Sequence, residues 1–268
     1  MFGTGSAFST EENTSFSINM QDINDKVTSV FVEMPMSTVK KVIEQESAIL
    51  EDLKCTQYNY VICISHFHED HIGGLSTFLF YLKYCRGIDL ETEVKIISPD
   101  NERMKSYLEL TGGFTDKLYL CSMCVDIDLG PFDIPIRPKV TISTVPVTHV
   151  QGMPSCGFLF ETKDGSHCIV DRLFYTGDCI EIPDQIMKQF KQGEIDRMIA
   201  EISPLPMEEE KVHCSYEYYL KNFTISELNR ITFVHSDKAC LESLGKLQKH
   251  IQDLYKKSAD VDIELKNK

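Results

Sequence analysis

At 268 residues, 42% hydrophobic and 25% charged, the chain is long enough to bury a large core in one globular domain spanning 1–268. Its 41 acidic residues outweigh 27 basic ones for a formal net charge of −14. With no dense Lys/Arg cluster, that balance weighs against a stable complex with a long nucleic acid, whose affinity rests on neutralised phosphates. Nothing resembles the run of about 18 apolar residues that a membrane helix needs, and Met1-Phe2-Gly3-Thr4-Gly5-Ser6 has neither the basic nor the apolar part of a secretion signal. The ten cysteines lie in runs such as Val61-Ile62-Cys63-Ile64 and read as reduced thiols of a cytoplasmic protein, or one of the host cytoplasm if phage-encoded.

In chain order, residues 2–8, 15–20 and Thr28–Glu33 read as strands, and Thr38–Leu53 has helical apolar spacing. The run Tyr58–Ser65 predicts a buried strand that delivers the chain into His66, and Gly73-Gly74 leads into a helix over Leu75–Tyr84. A strand at Val94–Ser98, a helix at Glu102–Leu110 and strands through Thr148 follow, then strands Gly157–Thr162 and His167–Thr176. Helix Asp184–Lys191, strand Arg197–Ile202, a helix near Ser215–Asn222, strand Arg230–Val234 and helix Leu241–Lys256 complete the pass. The class is α/β, with no linker dividing it.

His66-Phe67-His68-Glu69-Asp70-His71 packs four potential ligands into six residues at a strand end, drawing on three of only eight histidines. Imidazole suits zinc and similar metals, and a carboxylate can complete or bridge a second site. His149, Asp178 and His235 each follow a β-rich run, where loops of layered α/β folds converge. Any one alone reads as a satisfied core or loop residue; with the first cluster they make five histidines and two aspartates, an inventory for two cations.

These residues in this order resemble the metallo-β-lactamase superfamily. Phe2-Gly3-Thr4-Gly5-Ser6-Ala7-Phe8 with Asn13-Thr14-Ser15, and Phe174-Tyr175-Thr176-Gly177-Asp178, are similar to its ribonuclease Z-like branch. The resemblance implies an αββα sandwich of two mixed β-sheets flanked by helices, and two divalent metal ions, zinc first and manganese as the alternative. It further implies one cation on His66, His68 and His149 and another on Asp70, His71 and His235, with Asp178 bridging. Asp70 would orient the attacking water and take its proton. His213, 22 positions before His235 (235 − 213), would be the proton donor steered by Glu201; its bland reading is a surface histidine near a helix start. Glu33-Met34-Pro35 stands where the branch often shows Asp-Cys-Gly, a departure that touches no expected ligand.

Cys121-Ser122-Met123-Cys124 has metal-ligand spacing but no second pair, and reads as two core or loop thiols. Tyr216, Tyr218 and Tyr219 read as core or dimer contacts, and Gly3-Thr4-Gly5 as a tight turn near the metal site.

The tRNA-processing members of the branch carry a long arm between the third histidine and the bridging aspartate. Here His149 and Asp178 are only 29 apart (178 − 149), with two strands between them. The compact chain therefore looks like the armless phosphodiesterases of the anti-Pycsar type. That likeness implies hydrolysis of a small nucleotide substrate, a 3′,5′-cyclic nucleotide (cAMP, cGMP, cCMP or cUMP), to a nucleoside monophosphate by a homodimer. An RNA 3′-processing endonuclease and a non-catalytic metal or nucleotide sensor are the competing expectations.

Overall fold

The computed structural model describes residues 1, 5–6, 12–21, 27–49, 58–114, 118–128, 139–166 and 168–235. The expected helix Leu241–Lys256, most of the opening strand 2–8, and His167 and His250 lie outside them.

The first sheet holds β1 (Phe16–Gln21), β2 (Val27–Val32), β3 (Tyr58–Cys63), β4 (Val94–Ile97) and β5 (Tyr119–Cys121), in that spatial order. Only the β1–β2 pair is antiparallel. The second holds β6 (Cys124–Asp128), β7 (Lys139–Pro146), β8 (Cys156–Lys163), β9 (Ile169–Tyr175), β10 (Arg197–Glu201) and β11 (Ile231–Val234), ordered β11-β10-β9-β8-β7-β6. Its last three strands are mutually parallel and the rest antiparallel.

Strand periodicity explains how the layers meet. Alternate residues of β1 (Phe16, Ile18, Met20), of β6 (Val125, Ile127) and of β8 (Phe158, Phe160) pack with Val30, Val32, Val61, Val140 and Ile142 in a core between the sheets. The outer face of the first sheet is covered by α1 (Met36–Ile49), α3 (Leu75–Phe80) and α5 (Asn101–Gly112), through Val39, Val42, Phe78, Met104 and Leu108. The outer face of the second is covered by α6 (Asp184–Lys191), α7 (Tyr216–Asn222) and α8 (Ile225–Leu228), through Ile186, Phe190, Tyr219 and Leu228. Central strands β2 and β3 are buried on both faces at their ends, Val30–Val32 and Tyr60–Cys63, and there the runs are continuously apolar, as parallel strands between two layers tend to be.

Two short helices, α2 (Glu69–Ile72) and α4 (Leu90–Glu93), complete the set. The expected helix Leu75–Tyr84 ends its α geometry at Phe80 and passes into a π turn, Tyr81–Cys85. No described helix is long and apolar enough to cross a membrane.

Candidate metal centre

Strand ends from both sheets converge on one edge of the sandwich. His66 and His68 follow β3, Asp70 and His71 lie in α2, His149 follows β7, Asp178 follows β9, Glu201 ends β10, His213 precedes the Ser215 cap of α7, and His235 follows β11. Three overlapping groups here are able to hold a metal ion: His66, His68, His149 with Asp178; Asp70, His71 with His235; and Asp178, Glu201, His213 with His235. All seven residues expected as ligands fall in the first two.

The distances have the scale of ligand edges. Two donors about 2.05 Å from a tetrahedral zinc lie about 3.3 Å apart. His68 Nδ1 is 3.0 Å from His66 Nε2 and 3.3 Å from His149 Nε2. Asp70 Oδ2 is 3.4 Å from both His71 Nε2 and His235 Nε2. Asp178 Oδ2 lies 3.8 Å from His66 Nε2, 4.0 Å from His149 Nε2 and 3.4 Å from each of His71 Nε2 and His235 Nε2, so one carboxylate oxygen faces both groups.

The ring nitrogens turned away from these groups are held from behind. His149 Nδ1 donates to the Val212 carbonyl at 2.7 Å, and His66 Nδ1 meets the Ser65 hydroxyl at 2.9 Å. His71 Nδ1 lies 3.4 Å from Glu33 Oε1, with both side chains fully buried. Such partners fix the tautomer and leave the other nitrogen's lone pair for a cation. His71 tests the fit most sharply: neither of its ring nitrogens makes a hydrogen bond, although the imidazole is sealed from water. A buried polar atom without a partner is costly, and a cation between His71, Asp70, His235 and Asp178 supplies one. The donor set of imidazoles and carboxylates suits zinc, manganese and similar ions alike.

At the first group the electrostatics favour the same use, whereas against burial Asp178 and its neighbouring carboxylates raise His71 and His235, which a cation would have to deprotonate. Burial, then repulsion from His71, pushes His66 well below the ordinary imidazole range, and burial brings His149 down to about 4. Both are therefore neutral, as a ligand must be. Burial acts against charge at Asp178 and Asp70 too, yet the surrounding histidines hold both carboxyls below the usual range.

Glu201 and His213 form a second device. Glu201 Oε2 lies 2.7 Å from His213 Nδ1. Its Oε1 accepts from the backbone N–H groups of Cys179 and Cys214, the neighbours of Asp178 and His213. Burial disfavours the charged imidazole, but Glu201, then Asp178, raise His213 to about 9. Its ring lies beside those of His149 and His235, at 5.1 and 5.0 Å between centroids, and is partly open to solvent.

Among the supporting residues, Glu33 and Thr14 escaped sequence reasoning. Glu33 stood out only as a departure, and nothing in its neighbours signals a role against His71. Thr14 accepts from the His235 backbone N–H at 2.9 Å, which gives the Asn13-Thr14-Ser15 motif a structural purpose. Asn13 bridges to Gly5, whose carbonyl takes the Thr14 N–H, in keeping with a turn close to the site; Gly3 and Thr4 lie outside the described residues. Cys121 and Cys124 are free thiols on either side of a short turn, one ending β5 and the other opening β6, with Cys121 Sγ donating to the Cys124 carbonyl at 3.1 Å. Tyr219 is core, its hydroxyl bonding the Glu201 carbonyl at 2.7 Å.

Comparison with known proteins gives a family and a fold. The family described as "Anti-Pycsar protein Apyc1" matches residues 1–252. The anti-Pycsar protein Apyc1 of Paenibacillus harenae is 27% identical over 183 residues, 66% of each chain and so just short of two thirds of that relative's length. Among solved structures, unliganded yeast PDE1 superposes with a TM-score of 0.56 at 14% identity, covering 94% of both chains. A long-form RNase Z from yeast superposes with a TM-score of 0.57 at 15% identity, covering 88% of this chain but 36% of that one. At such identities the likeness speaks for the fold, the αββα sandwich of the metallo-β-lactamase proteins.

Proposed function

Since the chain belongs to the family of the anti-Pycsar protein Apyc1, we propose that it is a dinuclear metal-dependent phosphodiesterase that opens 3′,5′-cyclic nucleotides to nucleoside monophosphates. The observation that carries this reading is the hydrogen-bonded His213–Glu201 pair, with His213 Nδ1 set 3.7 Å from the carboxylate oxygen that faces both ligand groups. Lactam or thioester hydrolysis has less need of a group poised to protonate an alkoxide.

In this reading His66, His68 and His149 would hold one cation and Asp70, His71 and His235 the other, with an Asp178 oxygen within reach of both groups. When bound, the two ions would neutralise the phosphoryl oxygens and acidify a water enough for it to attack at neutral pH. Asp70, kept ionised by its histidine neighbours, would orient the attacking water and receive its proton. The water oxygen bonds to phosphorus as the bond to the ribose oxygen breaks, and His213 gives that oxygen a proton. Glu201 holds the His213 ring in place and keeps it charged until then.

Size and charge favour a small substrate. Strands β8 and β9 fill the interval between His149 and Asp178, leaving no room there for an arm that clasps RNA. The net charge of −14 offers long nucleic acid little. A homodimer belongs to the same reading and is checked by light scattering.

The test supplies zinc or manganese to chelator-stripped protein and follows cAMP, cGMP, cCMP and cUMP by chromatography, with precursor tRNA as a parallel substrate. Release of linear monophosphate from at least one cyclic nucleotide, lost again on chelation, is expected. Four intact cyclic nucleotides beside a trimmed tRNA would move the assignment to RNA processing. Metal binding with every substrate intact would leave only a sensor.

A further inference from the structure

One carboxylate that belongs neither to the ligand groups nor to the His213–Glu201 pair lies beneath the loop that joins them. In the run Glu208-Glu209-Glu210 the first two side chains are exposed, but Glu210 is partly buried. Its Oε1 accepts from three successive backbone N–H groups, those of Lys211 at 2.9 Å, Val212 at 3.0 Å and His213 at 3.0 Å. Its Oε2 takes the Ser203 hydroxyl. Consecutive amides curled around one anion make a nest, the device proteins use for phosphate; here the chain fills it with its own side chain.

What the nest holds is the back of the site. The Val212 carbonyl takes the Nδ1–H of His149, and the next residue carries the imidazole that meets Glu201. Ser203, at the other end of the clamp, receives the Tyr216 N–H at 3.0 Å and donates its own N–H to the Cys214 carbonyl at 2.8 Å. The loop between β10 and α7 is thus closed on itself, with Glu210 in the middle.

We propose that Glu210 is a positioning residue: by fixing the Val212–His213 backbone it sets both the tautomer of His149, and so the cation held with His66 and His68, and the placement of the His213 ring. The kinetic half of this rests on the phosphodiesterase reading; the cation half does not.

The experiment compares Glu210→Ala and Glu210→Gln with the parent, and with Glu209→Ala as an outward-facing control. Metal-free proteins are checked for folding, titrated with zinc against a chromophoric chelator, and observed by NMR at the histidine ring nitrogens. Loss of a group that orients a ligand typically lowers metal affinity about 10–100-fold, and Glu210→Ala is expected to show that loss when the His149 signals shift, with the His71 and His235 signals responding to zinc as in the parent. Glu210→Gln, whose amide oxygen still accepts from the nest, is expected to recover most of the affinity. On an active substrate Glu210→Ala lowers kcat about tenfold or more, as misplacing a general acid does, with KM little changed. If Glu210→Ala does not fold, Glu210→Asp, too short to span the nest and Ser203 together, is expected to give the same zinc loss.

A lower melting temperature with parent-like zinc affinity and an unchanged His149 tautomer would make Glu210 a loop stabiliser and overturn the proposal. A Glu210-dependent zinc site in a protein that cleaves no phosphodiester would instead sink the functional reading and leave the clamp standing.

Discussion

The Thr14 hydroxyl accepts a hydrogen bond from the backbone N–H of His235, 2.9 Å away and 221 positions later in the chain. His235 has a left-handed backbone, φ 61°, a conformation histidine tolerates better than most residues but that still needs an anchor. Thr14→Val removes the acceptor and keeps the shape, leaving a buried N–H unpaired at a cost of about 1–3 kcal/mol. A lower melting temperature and weaker binding of the zinc shared with Asp70 and His71 are expected, whereas Thr14→Ser stays near the parent. Equal melting and zinc titration curves for Thr14→Val would show that the tether is idle.

Glu33 is also left-handed, φ 62°, which a long side chain rarely adopts. The surroundings impose it: its N–H bonds the Cys63 carbonyl at 2.9 Å, the next N–H bonds the His71 carbonyl at 2.7 Å, and Oε2 takes the Ser65 N–H at 3.2 Å. Glu33→Gln preserves size and removes the charge behind His71. Its expected signature is a loss of zinc affinity of about 10–100-fold at the site His71 serves, with little change in circular dichroism. Parent-like zinc binding would count against any role for the carboxylate.

Gly177, just before Asp178, has φ 59°, and a Cβ there would come within 2.8 Å of both the Cys156 carbonyl oxygen and Ser65 Cβ. Ser65 in turn contacts the His66 ring. Gly177→Ala therefore pays twice, in backbone strain of about 1 kcal/mol or more and in pushing apart the loops that carry His66 and Asp178. Reduced stability together with loss of tight binding of the second equivalent of zinc is expected in calorimetry. A variant that melts early but titrates normally would separate strain from site geometry.

The Glu201–His213 pair sets a pH window. In the metal-free protein His213 sits at about 9, raised by Glu201 and then Asp178 against the pull of burial. Because the folded value lies above the ordinary one near 6.5, the stability gained is complete below that ordinary value and fades as pH climbs through about 9. Glu201→Gln should bring the His213 titration, followed by NMR at the ring Cε1 proton, to lower pH. Bound cations push it the same way by repelling the imidazolium. In the active enzyme the alkaline fall in rate should move down in parallel. A His213 titration unaffected by Glu201→Gln would disconnect the pair.

The candidate ligands stood out because His66, His149, Asp178 and His235 each follow a β-rich run, and a run such as Tyr60-Val61-Ile62-Cys63-Ile64 marks a buried strand whatever it pairs with. Longer elements were legible for the same reason; α6 matches its expected span, since Ile186 and Phe190 recur at helical spacing. Short elements were not. α2, α4 and α8 each span four residues, too few for a period to emerge, and α8 is held by a Thr224–Glu227 capping box and by packing of Leu228. Glu33, Thr14 and Glu210 were illegible in another way. Their partners lie across tertiary contacts or along backbone amides, and a carboxylate filling a nest reads in one dimension like its solvated neighbours Glu208 and Glu209.

The two sheets contribute to the centre unequally in time. His66, His68, Asp70 and His71 come from the first half of the chain, His149 and Asp178 from later strand ends, and His235 from the last described strand end. During synthesis the nascent chain therefore carries an imidazole-rich loop long before the rest of the candidate centre exists. Asp178 joins the candidate groups only with β9, and His235 only with β11. Under the two-metal reading proposed above, tight loading would therefore wait for β11, and a product truncated before it would leave the ribosome without His235.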